Sequence, residues 1–378
     1  MRIAVVSHTY TVPENREKWV RLQANFHHEV CLFIPEQFHD PIMPAPYPGK
    51  KADGPDVRVE SFSTIFRDRI FSYFFKNPLK LKSALKAFAP HLIYVEQEPW
   101  SLSFFQISLI KRIFLPGTPI VFFTWENCRK SFAGPRALIR RFNMRTASQA
   151  VAGNREAVEV LRKAGYRGGV RVIPQLGVDP ATFAPAEKGR RDAAHHIGFL
   201  GRLEHTKGVD LLIKAFAGTG HQDRFMLHIY GRGKEERKLK ALAETLGLSG
   251  RVRFNRSIPH DEVPEAIRSF GVLVLPSRGT AHWKEQFGHV LIEAMSSGVP
   301  VIGARSGAIP EVIGDAGLLF REGDETDLSE KMMCLMDNPD LRNELGQRGR
   351  IRVNHLFTND VISEKISSLF EEAYSKAA

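Results

Sequence analysis

Two glutamates, Glu285 and Glu293, stand eight positions apart in the run Trp283-Lys-Glu285-Gln286-Phe287-Gly288-His-Val-Leu-Ile-Glu293-Ala-Met-Ser-Ser-Gly298. With a helix starting near Phe287, the first carboxylate lies in the loop before it and the second about two turns in. Carboxylates so placed accept hydrogen bonds from hydroxyls at two ends of a polyhydroxylated ligand, while N–H groups at the helix start face a phosphate between them. Glu293 sits among Leu291, Ile292, Ala294 and Met295, and a carboxylate in so apolar a run needs partners.

A second constellation lies upstream. After an apolar run at 196–200 come Gly201, Arg202, Lys207 and Gly208, then a helix from about Val209. A strand, a glycine turn, two cations and a helix start make an anion cradle, or else a glycine turn with solvated charges. Another strand ends in Gly231-Arg-Gly233, but no third glycine completes GxGxxG and no GxxxxGK[ST] occurs, which disfavours a dinucleotide oxidoreductase and a P-loop NTPase. No group of residues has metal-ligand spacing.

These residues need a scaffold. The 378 residues, 43% apolar and 25% charged, suit a folded chain of two domains. Strand-like runs at 3–6, 30–34, 92–95, 120–123 and 170–173 alternate with helical stretches, and runs at 196–200, 225–230, 252–254, 272–275, 299–302 and 318–320 repeat the pattern. Alternating strand and helix imply parallel sheets covered on both faces, hence two doubly wound α/β domains. The six prolines of Pro35–Pro55 predict a long surface loop, and 177–193 a linker. In such sheets ligands lie beyond the carboxyl ends of the strands.

In the segment from Glu285 to Glu293 the sequence resembles the retaining glycosyltransferases of glycosyltransferase family 4, whose E-x7-E element these two residues match. The resemblance continues through Glu293-Ala-Met-Ser-Ser-Gly-Val-Pro-Val-Ile302, Ser306-Gly-Ala-Ile-Pro-Glu311, Gly201-Arg202-Leu with Lys207-Gly208, and Val172-Ile-Pro with Gly177-Val-Asp179, covering about residues 150–320. It implies the GT-B fold: two Rossmann-like domains facing across a cleft, here 1–182 with a returning C-terminal helix 358–378 for the acceptor, and 190–357 for the nucleotide-sugar donor. Val361–Tyr374 has the amphipathic pattern for that helix.

The resemblance also implies roles. Arg202 and Lys207 would bind the donor diphosphate and stabilise the departing nucleotide. Glu293 would hold the ribose and Glu285 hydroxyls of the transferred sugar, with Gln286 and the N–H groups of Phe287 and Gly288 reaching sugar or phosphate oxygens. Gly201 and Gly231 would border the donor, and the base would lodge at Arg256, Ser257 and Ile258. No cofactor and no metal ion is expected, since basic side chains and a helix N-terminus replace the divalent ion. Attack on the same face as the leaving group is the reaction the family implies, so the carboxylate-pair logic of glycosidases is not imposed.

The sequence departs from the family pattern in three places. A Gly-Gly loop after the first strand is replaced by Ser7-His8-Thr9-Tyr10, leaving His8 as a hydrogen-bonding residue or a loop histidine. Where many relatives place a histidine stands Thr124-Trp125-Glu126-Asn127; Glu126 or Asn127 takes its place beside the acceptor, or Glu126 pairs with Arg129 or Lys130. Arg278–Trp283 is longer than usual, and His282 and Trp283 either stack on a sugar or pack in the loop.

The net charge of +11 is one-sided: residues 1–186 carry 26 basic and 15 acidic side chains, whereas 187–378 carry 27 of each. Ile65–Phe88, read as two helices split at Asn77-Pro78, has six basic residues and one acid interleaved with Phe66, Ile70, Phe71, Tyr73, Phe74 and Phe75; Arg129–Arg145 has six basic residues and no acid around Leu138, Ile139 and Phe142. Such stretches suit an anionic membrane surface or amphipathic core helices. No recognition signature supports nucleic acid. The most apolar stretch, Trp100–Phe123, is too interrupted to span a bilayer, and no secretory signal is read at the N-terminus. Cys31, Cys128 and Cys334 are widely spaced and suit idle thiols in a reducing compartment.

The expectation is therefore a metal-independent, retaining hexosyltransferase, cytoplasmic and peripheral on the inner face of the plasma membrane, moving a sugar from a nucleotide sugar to a lipid-linked, polysaccharide or other glycan acceptor, lipopolysaccharide and exopolysaccharide among them. The alternatives are a nucleotide-sugar epimerase of GT-B fold and a non-catalytic nucleotide-sugar binding protein.

Overall fold

The structure is a computed structural model that describes residues 1–38, 47–48, 57–66, 73–186, 195–220 and 223–377. Most of the proline-rich loop and part of the expected linker lie outside the described residues. The chain divides into two compact units, Met1–Gly177 with Asn359–Ala378, and Val178–Thr358. Residues 178–182, expected with the first domain, thus belong to the second. Val178 donates its N–H to Phe357 O at 3.0 Å within that unit, while Gly177 N–H donates to Asn359 Oδ1 at 3.2 Å within the first.

Unit 1 holds seven parallel strands: β1 (Arg2–Val6), β2 (Glu29–Pro35), β3 (Arg58–Phe62), β4 (Leu92–Val95), β5 (Ile120–Thr124), β6 (Gln149–Ala152) and β7 (Gly169–Val172), in the order β7-β6-β5-β4-β1-β2-β3. Alternate residues serve opposite faces. Ala4 and Val6 join the core under α2 (Pro78–Phe88) and α3 (Leu102–Phe114), whereas Ile3 and Val5 join the one that holds α1 (Glu17–Phe26). The last helix, Asn359–Ser375, seals that second core in this unit with Ile362, Ile366, Leu369 and Phe370, the Phe370 ring stacking on Trp19 at 6.4 Å. The returning helix expected from its amphipathic pattern is therefore present.

Local chemistry starts the helices. Asn77 Oδ1 accepts the Lys80 N–H at 2.9 Å, with Pro78 in the first turn, and Ser101 caps α3. A helix before Asn77 is not what forms in the described part: Thr64–Ile65 pairs antiparallel with Phe74–Phe75, and residues 67–72 lie outside the described residues. β-Branched and aromatic residues at both ends favour the hairpin.

Unit 2 holds six parallel strands: β8 (His196–Leu200), β9 (Met226–Tyr230), β10 (Val252–Asn255), β11 (Val272–Leu275), β12 (Val301–Ala304) and β13 (Leu318–Phe320), in the order β10-β9-β8-β11-β12-β13. Strand order reverses between β1 and β4 in unit 1 and between β8 and β11 in unit 2, which makes their carboxyl ends the places to look for ligand groups. Among the described residues no helix is long and apolar enough to cross a membrane.

Candidate active site

In unit 2 the reversal point gathers residues from two loops. After β8, Lys207 ends a 3-10 turn and Gly208 follows with φ +66°; a Cβ there would lie 2.0 Å from Pro276 O, so only glycine lets the turn press against the end of β11. Lys207 Nζ donates to Glu285 Oε2 at 2.6 Å, and the same oxygen accepts the Ser277 hydroxyl at 2.8 Å. Ser277 and Glu285 are buried, and Lys207 lies 5.0 Å from the centre of the Trp283 ring. The structure thus joins two of the expected residues into one ion pair and packs Trp283 beside it. Arg202 makes a separate, half-exposed pair with Glu204 at 3.2 Å.

The backbone around Glu285 is fixed from the other side. Ala308 N–H donates to Glu285 O at 2.9 Å, and a Cβ on Gly307, at φ +53°, would approach that oxygen to 2.2 Å. Gln286 is half-buried and Phe287 buried, its ring against His289 and Phe357. Gly288, at φ +83°, caps a helix that runs from His289 to Ser296, two residues later than a start near Phe287 implies. Glu293 is accordingly little more than one turn in. Its carboxylate has no hydrogen bond or ion pair among the described residues, and burial pushes its pKa up to about 7.

Gly231 has a local explanation. A Cβ on it would lie 1.9 Å from Gly201 O, and one on Gly233 would lie 2.2 Å from Leu203 O, so the GxG turn exists to let two strand ends pack. Arg256, Ser257 and Ile258 follow the edge strand β10, two places from β8; the first two are exposed and Ile258 half-buried.

In unit 1 the three acceptor-side residues are each held by polar groups of the run 96–98, two of them in one hydrogen-bonded network. Gln97 Nε2 donates to His8 Nδ1 at 2.8 Å, and burial lowers the His8 pKa to about 4. Trp125 N–H donates to Glu98 Oε1 at 2.9 Å and its indole N–H to Gln175 Oε1 at 2.9 Å. Gln175 in turn donates to Glu96 Oε2 at 3.0 Å and to Thr9 Oγ1 at 3.1 Å. Glu126 is buried and pairs with Lys130 at 2.5 Å, the pairing weighed against an acceptor role; Asn127 beside it is buried too.

Glu96, Gln97 and Glu98 hold this network together, and none was singled out from the sequence. The signal was there, since three polar residues directly follow the apolar run 92–95 at a strand's carboxyl end. Lys18 had no such signal. It lies on an amphipathic helix, yet its ammonium is buried, donating to Glu96 Oε1 and to Gln175 O, each at 2.6 Å, and lying 4.6 Å from the centre of the Trp19 ring. Burial lowers its pKa while Glu96 opposes the shift. Among the described residues no three His, Cys, Asp or Glu side chains gather where a metal ion would sit.

Residues 182–352 match the family of glycosyl transferases, group 1. Over this segment, which makes up most of unit 2, the chain is similar to that family. A D-inositol 3-phosphate glycosyltransferase of Corynebacterium jeikeium is 31% identical over 223 residues, 54% of this chain and 52% of that protein. The chain spans about half the length of the curated relatives it matches, and the family match lies in the unit that carries Arg202, Lys207, Glu285 and Glu293. Among solved structures, sucrose-phosphate synthase from Thermosynechococcus elongatus superposes with a TM-score of 0.76 at 20% identity over 100% of both chains. Anabaena Alr3699/HepE in complex with UDP gives 0.75 at 18% over 98% of this chain and 100% of that one. These likenesses show that the chain has the GT-B fold.

Proposed function

We propose that the chain is a retaining glycosyltransferase that moves a hexose-type sugar from a nucleotide diphosphate sugar to a lipid-linked or glycan acceptor. The observation that carries this reading is the Lys207–Glu285–Ser277 cluster at the reversal point of unit 2, directly before a helix start, in the segment that matches the group 1 family. Unit 2 takes the donor. Arg202 and Lys207 bear on its diphosphate, Glu285 on sugar hydroxyls and Glu293 on the ribose, an assignment favoured by a carboxylate that lacks partners among the described residues.

In the reaction the bond from the sugar's anomeric carbon to the diphosphate oxygen breaks as the acceptor oxygen bonds to the same face. The acceptor proton passes to the leaving phosphate. Negative charge accumulates on that phosphate, and two cations placed to meet it supply the stabilisation without a divalent ion. Unit 1 takes the acceptor, with His8, Trp125, Glu126 and Asn127 as the residues that meet it. His8 stays neutral around pH 7, so it serves as a hydrogen-bonding group and not as a cation.

Unit 1 also bears on a membrane. Leu109, Ile113 and Phe114 on α3, Leu138 on the helix Gly134–Thr146 and Leu79 on α2 are exposed, with Lys76, Lys80, Lys86, Arg112, Arg141 and Arg145 exposed around them. Lys82 Nζ lies 5.1 Å from the centre of the Phe114 ring and the Arg112 guanidinium 5.4 Å from that of Phe142, linking the three helices. The aromatic set differs from that expected: Tyr73 and Phe75 are core residues, while Ile70 and Phe71 lie outside the described residues. Such a basic and apolar face favours an anionic cytoplasmic leaflet.

A radiolabelled panel of nucleotide sugars with lipid extract tests the function. Label on lipid or glycan, in the donor's anomeric configuration, is expected; an epimerised free nucleotide sugar, or binding without turnover, replaces the reading by an epimerase or a binding protein. Flotation with anionic and neutral liposomes tests the surface. Arg141→Ala with Arg145→Ala should weaken binding to anionic vesicles by about 2 kcal/mol, about 30-fold, and equal binding to both vesicle types refutes the electrostatic contact.

A further inference from the structure

Glu98 has none of the roles assigned above, yet the turn that carries Trp125 and Glu126 is built on it. Its buried carboxylate lies just past β4 and spans to the end of β5: Oε1 accepts the Trp125 N–H at 2.9 Å and Oε2 accepts the Thr124 hydroxyl. The Thr124 oxygen then accepts the Glu126 N–H at 3.1 Å. One side chain therefore satisfies, directly or through one hydroxyl, the backbone N–H groups of two acceptor-side residues. Thr124 and Glu126 are buried, so loss of this acceptor strands donors that water does not readily reach.

The choice of a carboxylate is informative. Burial pushes the Glu98 pKa up to about 7, opposed by the Thr124 hydrogen bond and raised further by the charge of Glu126. A neutral side chain would tie the turn at a smaller desolvation cost. Glutamine would not tie it in the same way, because its amide would present N–H to a Thr124 oxygen that already accepts from Glu126, and the threonine hydroxyl would lose its acceptor. Two carboxylates in adjoining loops, with Lys130 on Glu126, hold the turn by accepting and leave the donors on the backbone.

We propose that Glu98 is the positioning residue of the acceptor side, its carboxylate locking the Thr124–Glu126 turn in the conformation that presents the Trp125 ring and the Glu126 carboxylate to the acceptor. The inference rests on the transferase reading for the identity of what is presented. The hold on the turn itself is measurable without substrate.

Glu98→Gln and Glu98→Ala are compared with the wild type in three measurements. Amide hydrogen exchange over residues 124–128 should quicken about tenfold or more in both variants, the equivalent of about one lost hydrogen bond. Nucleoside diphosphate affinity, a property of unit 2, should stay within about twofold. With acceptor varied at saturating donor, kcat/KM should fall by about 30-fold or more while the donor KM stays within about twofold, the loss expected when a reacting group is slightly misplaced. Glu98→Gln keeps the side-chain volume and serves where the alanine variant does not fold. Unchanged exchange in the glutamine variant overturns the proposal, as does quickened exchange with wild-type kcat/KM for the acceptor, or a loss of nucleotide affinity equal to the loss of transfer. A wild-type protein that transfers no sugar from any donor overturns the transferase reading and with it the acceptor role; that result is read in the wild type alone, so the two failures are told apart.

Discussion

Glu293 makes a prediction in which stability and binding move in opposite directions. Burial raises its pKa from 4.5 to about 7 with no compensating partner among the described residues, and a shift of that size corresponds to about 3 kcal/mol of folding free energy, or about 2 once the residue's partial exposure is allowed for. The sign follows from the proton count. Below pH 4.5 both folded and unfolded chains hold the proton and there is no penalty. Between there and about pH 7 the unfolded chain releases its proton and the folded one keeps it, so stability falls as pH rises. Above about pH 7 the folded carboxylate is ionised and the whole penalty is present.

Glu293→Gln removes the titration. The variant should match the wild type near pH 4.5 and exceed it at pH 8, where about 2 kcal/mol in a unit of this size raises the melting temperature by about 4–8 °C. Its nucleoside diphosphate affinity should drop about tenfold or more, because hydrogen bonds from ribose hydroxyls to an ionised carboxylate are worth about 1.5–3 kcal/mol. In the wild type that affinity should rise with pH through about 7, and in the variant it should not. Melting curves at the two pH values and calorimetric titration with nucleoside diphosphates provide both readings. A variant that melts with the wild type at pH 8 refutes the enclosed, unpartnered carboxylate; one that is stabilised but binds nucleotide normally refutes its contact with the ribose.

Other residues carry sharper expectations of single sign. Lys207→Ala leaves the buried Glu285 with Ser277 and removes charge from the leaving group, so transfer should fall about 100-fold or more in a steady-state assay. Gly208→Ala combines a φ of +66° with a contact of 2.0 Å to Pro276 O and should cost more than about 2 kcal/mol in denaturant unfolding of unit 2. Lys18→Met strands the Glu96 carboxylate in the core of unit 1 and should cost about 3–5 kcal/mol, with Glu96→Gln in the same chain recovering part of the loss in a double-mutant cycle.

Eleven of the thirteen main strands are legible as short apolar runs, most clearly β4, β5 and β11, which are buried throughout and so are written as continuous hydrophobic segments. The two that are not show what that signal needs. β3 is Arg-Val-Glu-Ser-Phe at the sheet edge, where one side meets solvent and polar residues are allowed. β6 is Gln-Ala-Val-Ala, fully buried between β5 and β7, but alanines have weak strand propensity and so short a segment does not stand out. The helix expected before Asn77 fails for the opposite reason: the aromatic run that suggested an amphipathic face includes Tyr73 and Phe75, which are core residues of a strand and its approach.

The candidate sites differ in legibility for a related reason. At the carboxyl ends of β8 and β11 the groups are marked by neighbouring glycines with demanding backbones, so Lys207 and Glu285 stand out before their pairing is known. At the ends of β1 and β4 the corresponding groups are Glu96, Gln97 and Glu98, and their partners come from sequence distances of 26 to 89 residues. No local pattern encodes such pairings. A buried lysine on a helix and two glutamates after a strand each resemble solvated charges until the fold brings Lys18 to Glu96 and Thr124 to Glu98. Burial of these charges is costly unless each finds a partner. Unit 1 therefore uses its polar interior to hold loops in place, while α2, α3 and the helix that follows them carry nine basic residues and no acid.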